Sequence, residues 1–322
     1  MAEMTKRKVL VCGASGFIGR NLFEHFSKKS DLDVYGTYLS NNRLNEQRSP
    51  HPRLWRVNLT DRDHTNAIVS QNFDCIINCA AKTEGSGAYN AEASIATNTR
   101  INLNLIEAAH LHKVKHVIFL SCTVMYPSGD RPLKEDEYDL NDIHPKYFMG
   151  ARMKVFAEDL CRFYAGLSTT KYTAVRHTNI YGPHDKFDLQ RGHVLSATIE
   201  KVMKADKEIK VWGHGKESRD FLHIQDLIEF IQLAIEKQEN NFEIFNVGYG
   251  KTYSIKELVR KIVSCSGKDL NIIHDLEKPS IETNMNIDVE KASHLLGWKA
   301  RIGLSKGLIV TLDWYKKNHN PE

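Results

Sequence analysis

Long apolar runs are missing from this chain of 322 residues. No stretch approaches the roughly 18 consecutive apolar residues that a membrane-spanning helix needs, so no membrane partner is expected. The N-terminal segment is typical of a strand followed by a helix and lacks the pattern of a secretory signal. The cytoplasm is therefore the expected compartment.

Runs of like charge are also missing. The chain has 44 basic and 40 acidic residues, which give a formal net charge of +4. Proteins that bind nucleic acid concentrate basic charge in patches or tails, so no nucleic-acid partner is expected.

Cysteines are few and scattered. The six of them lack the paired spacing of a metal site, and several fall in predicted strands, where a cysteine is usually a small buried apolar residue. Neither a disulfide nor a metal ion is expected.

The order of the predicted elements indicates the fold. An apolar content of 41% is enough to build a large core in about two domains. Strands are predicted at 33–38, 53–57, 75–79, 116–121 and 172–176, with helical stretches between most of them. This alternation is typical of an α/β fold, and we predict a Rossmann-type doubly wound parallel sheet.

The second half of the chain has a looser pattern. A helix is predicted at 193–204, a polar turn at 213–217 and a strand at 243–247. We therefore expect a dinucleotide-binding domain over 1–177, which the chain re-enters at about 220–250, and a smaller, mainly substrate-binding domain over 178–322. Ser254 and Glu257 predict a capping box for a helix that ends near Gly267, and Asp288 predicts the start of another that ends before Gly297.

A glycine-rich turn follows the first predicted strand. Gly13 allows a tight turn, Gly16 lets the backbone approach a pyrophosphate, and Gly19 lets the following helix pack on the strand. The N–H groups at the start of that helix can bind the anion. We predict that a dinucleotide binds here, and that the loop also contributes Ser15, Phe17 and Ile18.

The end of the second predicted strand bears on the type of dinucleotide. NAD enzymes place a carboxylate there for the ribose 2′-hydroxyl, whereas this chain has Tyr38 with Arg43 nearby. NADP is therefore the preferred cofactor and NAD the alternative, although Arg43 is equally well explained as a solvated loop charge. Asp61 follows the third strand, where it either lies beside the adenine or caps a helix.

Motifs along nearly the whole chain carry a resemblance to a known family. They lie at 80–82, 119–120, 126–127, around Lys154, and at 178–185, 193–194, 211–213, 219–223, 246–248 and 296–298. The run Thr-Asn-Ile-Tyr-Gly-Pro-His-Asp at 178–185 is especially specific. The chain resembles the extended short-chain dehydrogenase/reductases, and among them the GDP-L-fucose synthases, which are epimerase-reductases acting on a GDP-4-keto-6-deoxymannose.

This resemblance implies a nicotinamide cofactor, a GDP-sugar substrate and a homodimer. The dimer of the family is a bundle of two long helices per subunit, for which 95–112 and 150–165 are long enough. Further cofactor contacts are implied at Asn58, Leu59, Ala80, Ala81, Lys82, Lys154, His177, Asn179 and Ile180.

The catalytic positions of the family are only partly retained. The family uses a serine, a tyrosine and a lysine for hydride transfer, and Lys154 matches the lysine, with Glu158 one turn later as its expected support. The tyrosine position holds Gly150. The serine position holds Cys122, beside Thr123, and the cysteine used in epimerisation is replaced by Val124. The changed positions favour reductase chemistry over epimerisation.

The substrate positions are better retained. His193 matches the family's acid/base histidine, and Arg219 matches a contact to the nucleotide diphosphate, whose oxygens suit a forked guanidinium. Asn284 and Met285 stand where the family has basic residues, so a different sugar or a looser grip on the nucleotide is expected. The other implied substrate contacts are Asn179, Val194 and Trp212.

Another group must exchange the proton in place of the missing tyrosine. Tyr147 precedes Lys154 by seven residues, on the same face of the predicted helix but about 10 Å away along its axis. We predict that Tyr147 or His193 supplies the proton, with Tyr126 as a third candidate whose alternative role is packing.

Three functions stay open at this point. The favoured one is an NAD(P)-dependent oxidoreductase acting at C4 of a GDP-activated deoxysugar or heptose. The alternatives are a GDP-sugar 3,5-epimerase, in which Cys122 would act, and a nucleotide-binding regulatory protein with little turnover. A pure binding protein gives no reason for Lys154, His193 and Arg219 to occur together.

Overall fold

The computed structural model describes residues 6–40, 52–83, 91–277 and 283–319. Within these ranges the strands are, in chain order, β1 (Arg7–Cys12), β2 (Leu32–Tyr38), β3 (Leu54–Arg56), β4 (Cys75–Asn78), β5 (His116–Leu120), β6 (Lys171–His177), β7 (Asn179–Tyr181), β8 (Glu208–Trp212), β9 (Ser218–His223), β10 (Phe242–Val247), β11 (Thr252–Ser254) and β12 (Asn271–Asp275). The helices are α1 (Phe17–Phe26), α2 (Arg62–Val69), α3 (Ala91–Leu111), α4 (Phe148–Leu167), α5 (Val194–Lys204), α6 (Ile224–Lys237), α7 (Ile255–Ser266), α8 (Glu290–Leu296) and α9 (Leu304–Asn318).

A parallel sheet forms the centre of the described structure. Its seven strands have the order β10-β6-β5-β4-β1-β2-β3, and every neighbouring pair is parallel. The predicted Rossmann-type α/β fold is confirmed. The five predicted strands lie within two residues of their observed bounds, because buried parallel strands are nearly continuous apolar runs that stand out in the sequence.

Apolar side chains cover both faces of this sheet. Along β1, Val9 and Val11 face the core formed with α1 and α6, whereas Leu10 and Cys12 face the core formed with α2, α3 and α4. Side chains alternate between the two faces of a strand, so a strand with helices on both sides must be apolar at every position. The carboxyl ends of the strands remain open for a ligand.

A second unit is built from later parts of the chain. It contains the three-stranded sheet β11-β9-β7 and the pair β12-β8, with α5, α7 and α9 packed around a separate core. Strand β10 returns to the central sheet and pairs with β6. The exact division into two domains stays a prediction.

Local signals place the ends of α7 and α8. Both reciprocal hydrogen bonds of the predicted Ser254–Glu257 capping box are present, and Gly267 ends α7 with a φ of +77°. Helix α8 has Val289 as its first flanking residue, one residue later than the predicted cap Asp288, whose carboxylate accepts a hydrogen bond from the Glu290 N–H at 2.8 Å. These ends depend on contacts between near neighbours in the sequence, which explains why they could be predicted.

Two expectations about composition can be compared with the structure. Of the helices in the described ranges, none combines the length and the apolar content that a membrane span requires. All six cysteines are free thiols.

Candidate active site

The loop between β1 and α1 has the shape that a dinucleotide needs. Gly13 has a φ of +77°, and a Cβ atom there would lie 2.8 Å from the Cα of Ala80. A Cβ atom on Gly19 would clash with the Gly13 carbonyl. Gly16 flanks the start of α1 and has no side chain to cap the first N–H groups of the helix. These groups fit a pyrophosphate, with Ser15, Phe17 and Ile18 in the same turn.

Most other predicted cofactor residues lie at the same edge of the sheet. Tyr38 ends β2, Asn58 follows β3, and the segment 80–82 follows β4. Parallel strands present their carboxyl ends at one edge, which is where ligands bind in this class of fold. The side-chain amide of Asn98 fixes the main chain of Lys82 through hydrogen bonds of 2.8 and 3.0 Å.

Three predicted positions near the adenine end have different outcomes. Leu59 is buried in the core, and its carbonyl accepts hydrogen bonds from Thr65 and Asn104, so it holds the loop in place. Asp61 caps α2 by accepting a hydrogen bond from the His64 N–H at 2.9 Å, which is the second of the two roles considered for it. Arg43 lies outside the described residues.

Lys154 belongs to α4, and its side chain extends to the carboxyl end of β5. Its Nζ donates a 2.6 Å hydrogen bond to the Leu120 carbonyl and lies 4.8 Å from the centre of the Phe119 ring. Desolvation lowers the pKa of Lys154, and the nearby Cys122 and Glu158 oppose that effect. The lysine is therefore placed to donate to a ribose at the sheet edge.

The residue expected to support Lys154 has a different partner. The Glu158 carboxylate pairs with Arg176 at 2.6 Å and accepts a 2.5 Å hydrogen bond from the Ser121 hydroxyl. Both members of the ion pair are fully buried. Glu158 acts on Lys154 through its charge, which raises the lysine pKa, whereas its ion pair goes to Arg176, because a buried guanidinium needs an anionic partner.

Tyr126 belongs to the same internal network. Its hydroxyl donates to the Asn246 amide oxygen at 2.6 Å and accepts from Arg176 at 2.9 Å. Burial raises the pKa of Tyr126 to about 12. Tyr126 is thus a packed structural residue, the alternative role considered for it, and is a poor candidate for proton transfer.

Cys122 and Thr123 follow β5 next to Lys154. Burial raises the pKa of the Cys122 thiol, and the positive charge of Lys154 only partly offsets this effect. Thr123 is nearly buried, and its carbonyl accepts the Tyr126 N–H at 3.2 Å. The thiol is therefore protonated at neutral pH, so it can donate a hydrogen bond to a carbonyl but is not available as a base.

The first turn of α4 contains Gly150, the position at which the family has its catalytic tyrosine. Tyr147 ends a 3-10 turn, Pro145–Tyr147, and α4 begins at Phe148, so Gly150 lies in the first helical turn. A Cβ atom on Gly150 would have no neighbour within 4 Å. The position of the family tyrosine is thus open space, and Tyr147 reaches the site from outside the helix.

One cavity collects most of the predicted substrate residues. It has a volume of about 300 Å³ and lies between the start of α4, helices α5 and α7, and strands β7, β8 and β9. The predicted residues among its lining are Tyr147, Asn179, His193, Val194, Trp212 and Arg219. These residues are far apart in the sequence, and the fold brings them into one wall.

His193 and His177 connect this cavity to the cofactor edge. His193 flanks the start of α5, and desolvation together with the charge of Lys186 lowers its pKa. The pKa of His177 is lowered to about 4, mainly by burial, and the charges of Lys154 and His193 act in the same direction. His177 ends β6, which pairs with β5, and Asn179 of the cavity wall follows it by two residues. The cavity therefore adjoins the strand ends that Lys154 contacts. Ile180, the next predicted cofactor residue, is buried in the core instead.

Arg219 is oriented by the main chain. Its guanidinium donates to the carbonyls of Ser218, at 2.7 Å, and Thr283. The Asn284 amide accepts from the Ser218 N–H at 3.1 Å and donates to Asp130 at 2.9 Å, so it braces the strand that presents Arg219. Met285 is 8% exposed. Neither of the two residues that replace family cations supplies a charge.

Sequence reasoning missed four charged residues in the cavity wall, Lys146, Lys201, Lys210 and Glu217. Lys201 follows His193 by eight residues on α5, a spacing that places both on one helix face and could have identified it. Its Nζ lies 5.3 Å from the centre of the Trp212 ring. The pattern around Lys146 and Glu217 carries no such local signal.

Comparison with known proteins identifies a family and a shared fold. Residues 9–248 match the NAD dependent epimerase/dehydratase family. The GDP-L-fucose synthase of Escherichia coli (strain K12) is 28% identical over 332 residues, which cover 98% of this chain and 99% of the relative.

Two solved structures share the fold. A UDP-glucose 4-epimerase from Thermotoga maritima, solved with UDP-glucose, has a TM-score of 0.84 at 24% identity and covers 96% of this chain and 99% of its own. A GDP-6-OMe-4-keto-L-xylo-heptose reductase from C. jejuni has a TM-score of 0.84 at 21% identity, with 98% and 99% covered.

Proposed function

Because this chain belongs to the NAD dependent epimerase/dehydratase family, we propose that it is an NAD(P)-dependent oxidoreductase acting at C4 of a GDP-activated sugar. The family predicted from the sequence motifs is confirmed, and its members act on nucleotide sugars. The substrate we propose is a GDP-4-keto-deoxysugar or a GDP-heptose. Relatives named as a GDP-L-fucose synthase and a GDP-heptose reductase support this choice.

One observation carries the proposal. The cavity joins two acid/base side chains, Tyr147 and His193, to the cations Lys201 and Arg219. Its wall also includes Asn179, just after the end of β6, next to the end of β5 that Lys154 contacts. The cations suit a diphosphate, and the acid/base groups suit an oxygen at the sugar. A protein that only binds nucleotides would need the cations but not the acid/base side chains.

The cofactor we propose is NADP, with NAD as the alternative. When bound, it supplies or accepts the hydride. Gly13, Gly16 and the start of α1 would hold its pyrophosphate, and the Lys154 ammonium would bind the hydroxyls of its nicotinamide ribose. The described end of β2 offers Tyr38 and no carboxylate, so a 2′-phosphate meets no repulsion there.

The protein's own residues divide the remaining work. Arg219 and Lys201 bind the diphosphate and so place the sugar against the cofactor edge. The hydroxyl of Thr123 and the thiol of Cys122 orient the C4 oxygen. Tyr147 or His193 then gives a proton to that oxygen in reduction, or removes it in oxidation. A group in this role contributes about 10² to 10⁴ to the rate.

Epimerisation at C3 and C5 is less well supported. Val124 replaces the family cysteine, and the pKa of the Cys122 thiol is raised, so a base for removing a carbon-bound proton is lacking at both positions. Incubation with GDP-4-keto sugars in deuterated water separates the two functions. Label at C3 or C5 of the recovered sugar would establish epimerisation and contradict this part of the proposal.

We further propose a homodimer formed through α3 and α4. Helix α4 exposes Phe156, Phe163 and Leu167, and α3 exposes Leu103 and Leu111. Large apolar side chains grouped on neighbouring helices are unusual on a monomer surface.

The function is tested by following nicotinamide absorbance. The purified protein is first denatured to identify any released nucleotide. GDP-, UDP-, dTDP- and CDP-linked 4-keto sugars are then mixed with the native protein and NADPH or NADH. We expect oxidation of NADPH with GDP-linked sugars. Binding of cofactor and nucleotide without any absorbance change would favour the low-turnover alternative.

A further inference from the structure

Glu217 is an acidic side chain in a cavity whose other permanently charged lining residues are all basic. Lys146, Lys201, Lys210 and Arg219 line the same cavity. Within the described ranges, the Glu217 carboxylate makes no hydrogen bond or ion pair, whereas its carbonyl accepts the Ile255 N–H at 3.0 Å. The main chain at Glu217 is therefore fixed, while the carboxylate is left for another group.

A carboxylate at this position would weaken the binding of a diphosphate if it faced the phosphates, since like charges repel across a few ångströms. The same carboxylate is favourable if it faces hydrogen-bond donors of the ligand. In a nucleotide those donors lie on the base. The Glu217 carboxylate is therefore favourable if the base of the nucleotide lies against it and the phosphates lie against Arg219.

We propose that Glu217 selects guanine as the base of the bound nucleotide, an inference that rests on the proposed function and identifies the residue behind its substrate class. Guanine presents N1–H and the 2-amino group side by side, and the two oxygens of a carboxylate accept both. Uracil and thymine flank their single N–H with carbonyl oxygens, which repel a carboxylate. Cytosine and adenine place a ring acceptor beside their amino group.

Trp212 supplies the platform for such a base. Its indole lines the cavity and is 43% exposed, with the Lys201 Nζ 5.3 Å from the centre of the ring. The exposed part of the ring is the surface on which a base would stack. Base stacking on an aromatic ring is favourable for every base and does not discriminate among them. Selection must therefore come from a group at the edge of the stacked base, which is the role assigned to Glu217.

The turn between Trp212 and Glu217 holds the platform and the carboxylate in a fixed relation. Gly213 and Gly215 adopt positive φ values of 64° and 65°. The Gly213 N–H donates to the Asp275 carbonyl at 2.8 Å, and the Gly215 carbonyl accepts the Lys256 N–H at 3.0 Å. Because the main chain that carries Trp212 and Glu217 is already ordered, little conformational entropy is lost on binding. The difference in interaction energy between guanine and the other bases therefore appears in the binding affinity.

The test compares nucleotide affinities by titration calorimetry. GDP, UDP, dTDP and CDP are titrated into the wild-type protein, into Glu217→Gln and into a control, Glu208→Gln, whose side chain is exposed in the same unit outside the cavity. We expect the wild type and the control to prefer GDP. In Glu217→Gln the affinity for GDP should fall about 10- to 100-fold, because one charge-assisted pair of hydrogen bonds is lost.

The affinity for UDP should be unchanged or higher in that variant, since a glutamine amide can both accept from the uracil N–H and donate to a uracil carbonyl. Retained UDP binding also shows that the variant is folded. Glu217→Asp, which keeps the charge, should keep the preference for GDP.

The outcomes separate the two proposals. Equal affinities of the wild type for GDP and UDP, or an unchanged GDP preference in Glu217→Gln, would overturn the role of Glu217 and leave nucleotide binding intact. Failure of the wild type to bind any of the four diphosphates would overturn the proposed function itself.

Discussion

Glu158 and Arg176 form an ion pair with 2.6 Å between Oε2 and Nη2, and both side chains are almost completely buried. Glu158 lies on α4, one turn after Lys154, and Arg176 lies on β6. The pair is completed by the Ser121 hydroxyl and by the carbonyl of Glu135, which accepts from Arg176 at 2.7 Å. The floor of the candidate site is therefore held by buried charges that satisfy one another.

The first prediction concerns this pair. Glu158→Gln should lower the free energy of unfolding by about 3 to 5 kcal/mol, because it leaves the Arg176 charge buried without a counter-charge. Urea denaturation measures the change. Glu137→Gln, which removes the partner of Arg131 in a solvent-accessible ion pair, is the control and should lower the free energy of unfolding far less. If Glu158→Gln lowered the free energy of unfolding as little as the control is expected to, the buried pair would not be required for stability.

The second prediction concerns proton transfer. Tyr147→Phe or His193→Asn should slow single-turnover hydride transfer by about 10² to 10⁴, since one of them exchanges the proton of the C4 oxygen. Rapid mixing with NADPH and a GDP-4-keto sugar measures the rate. Tyr164→Phe alters a tyrosine of α4 that packs against His110 of α3 and does not line the cavity, so it should have no effect. Wild-type rates in both test variants would exclude both residues from the proton step.

The third prediction concerns pH. Burial raises the pKa of Asp185 to about 7, and one of its carboxylate oxygens is buried without a hydrogen-bond partner. The folded state holds this proton at pH values where the unfolded chain, with a pKa near 3.8, has lost it. The contribution of Asp185 to stability is therefore present at low pH and is lost as the pH rises from about 4 to about 7.

Asp185→Asn removes this titration. Relative to the wild type, the variant should gain in unfolding free energy as the pH increases across that window, as measured by urea denaturation at several pH values. Asp188→Asn is the matched control in the same loop. Hydrogen bonds from main-chain N–H groups of Arg191 and Gln190 lower the pKa of Asp188 below 3.8, so its contribution is complete above about pH 4 and this control should keep a constant difference from the wild type across the window. Parallel pH profiles for wild type and Asp185→Asn would contradict the assignment.

The fourth prediction concerns the dimer. Replacing Phe156 and Phe163 together with glutamate should convert the proposed homodimer into a monomer, because four like charges would meet across the α4 faces of two subunits. Light scattering gives the mass in solution. Ile309→Glu changes an equally exposed apolar residue on α9 and should leave the mass unchanged. A monomeric wild-type protein would refute the interface outright.

Much of the fold follows from local patterns in the sequence. The glycines of the first loop, the capping box of Ser254 and Glu257, and the apolar strands could be identified because each depends on steric or hydrogen-bonding rules between near neighbours. The motif at 178–185 identified the family. The same rules suggested two roles for Asp61, and only the structure shows that it caps α2.

The partners of charged residues were decided by the tertiary structure. Lys154 has Glu158 one turn away, yet the carboxylate pairs with Arg176, because a buried guanidinium from β6 requires it. Lys201 lies on α5 and Glu217 in the turn before β9, and the fold brings these separate segments into one cavity. The sequence by itself determined the type of fold and the place of the cofactor loop, since those depend on periodicity and glycine sterics. Which charges meet, and which face a ligand, depends on long-range packing and on desolvation, which no local pattern records.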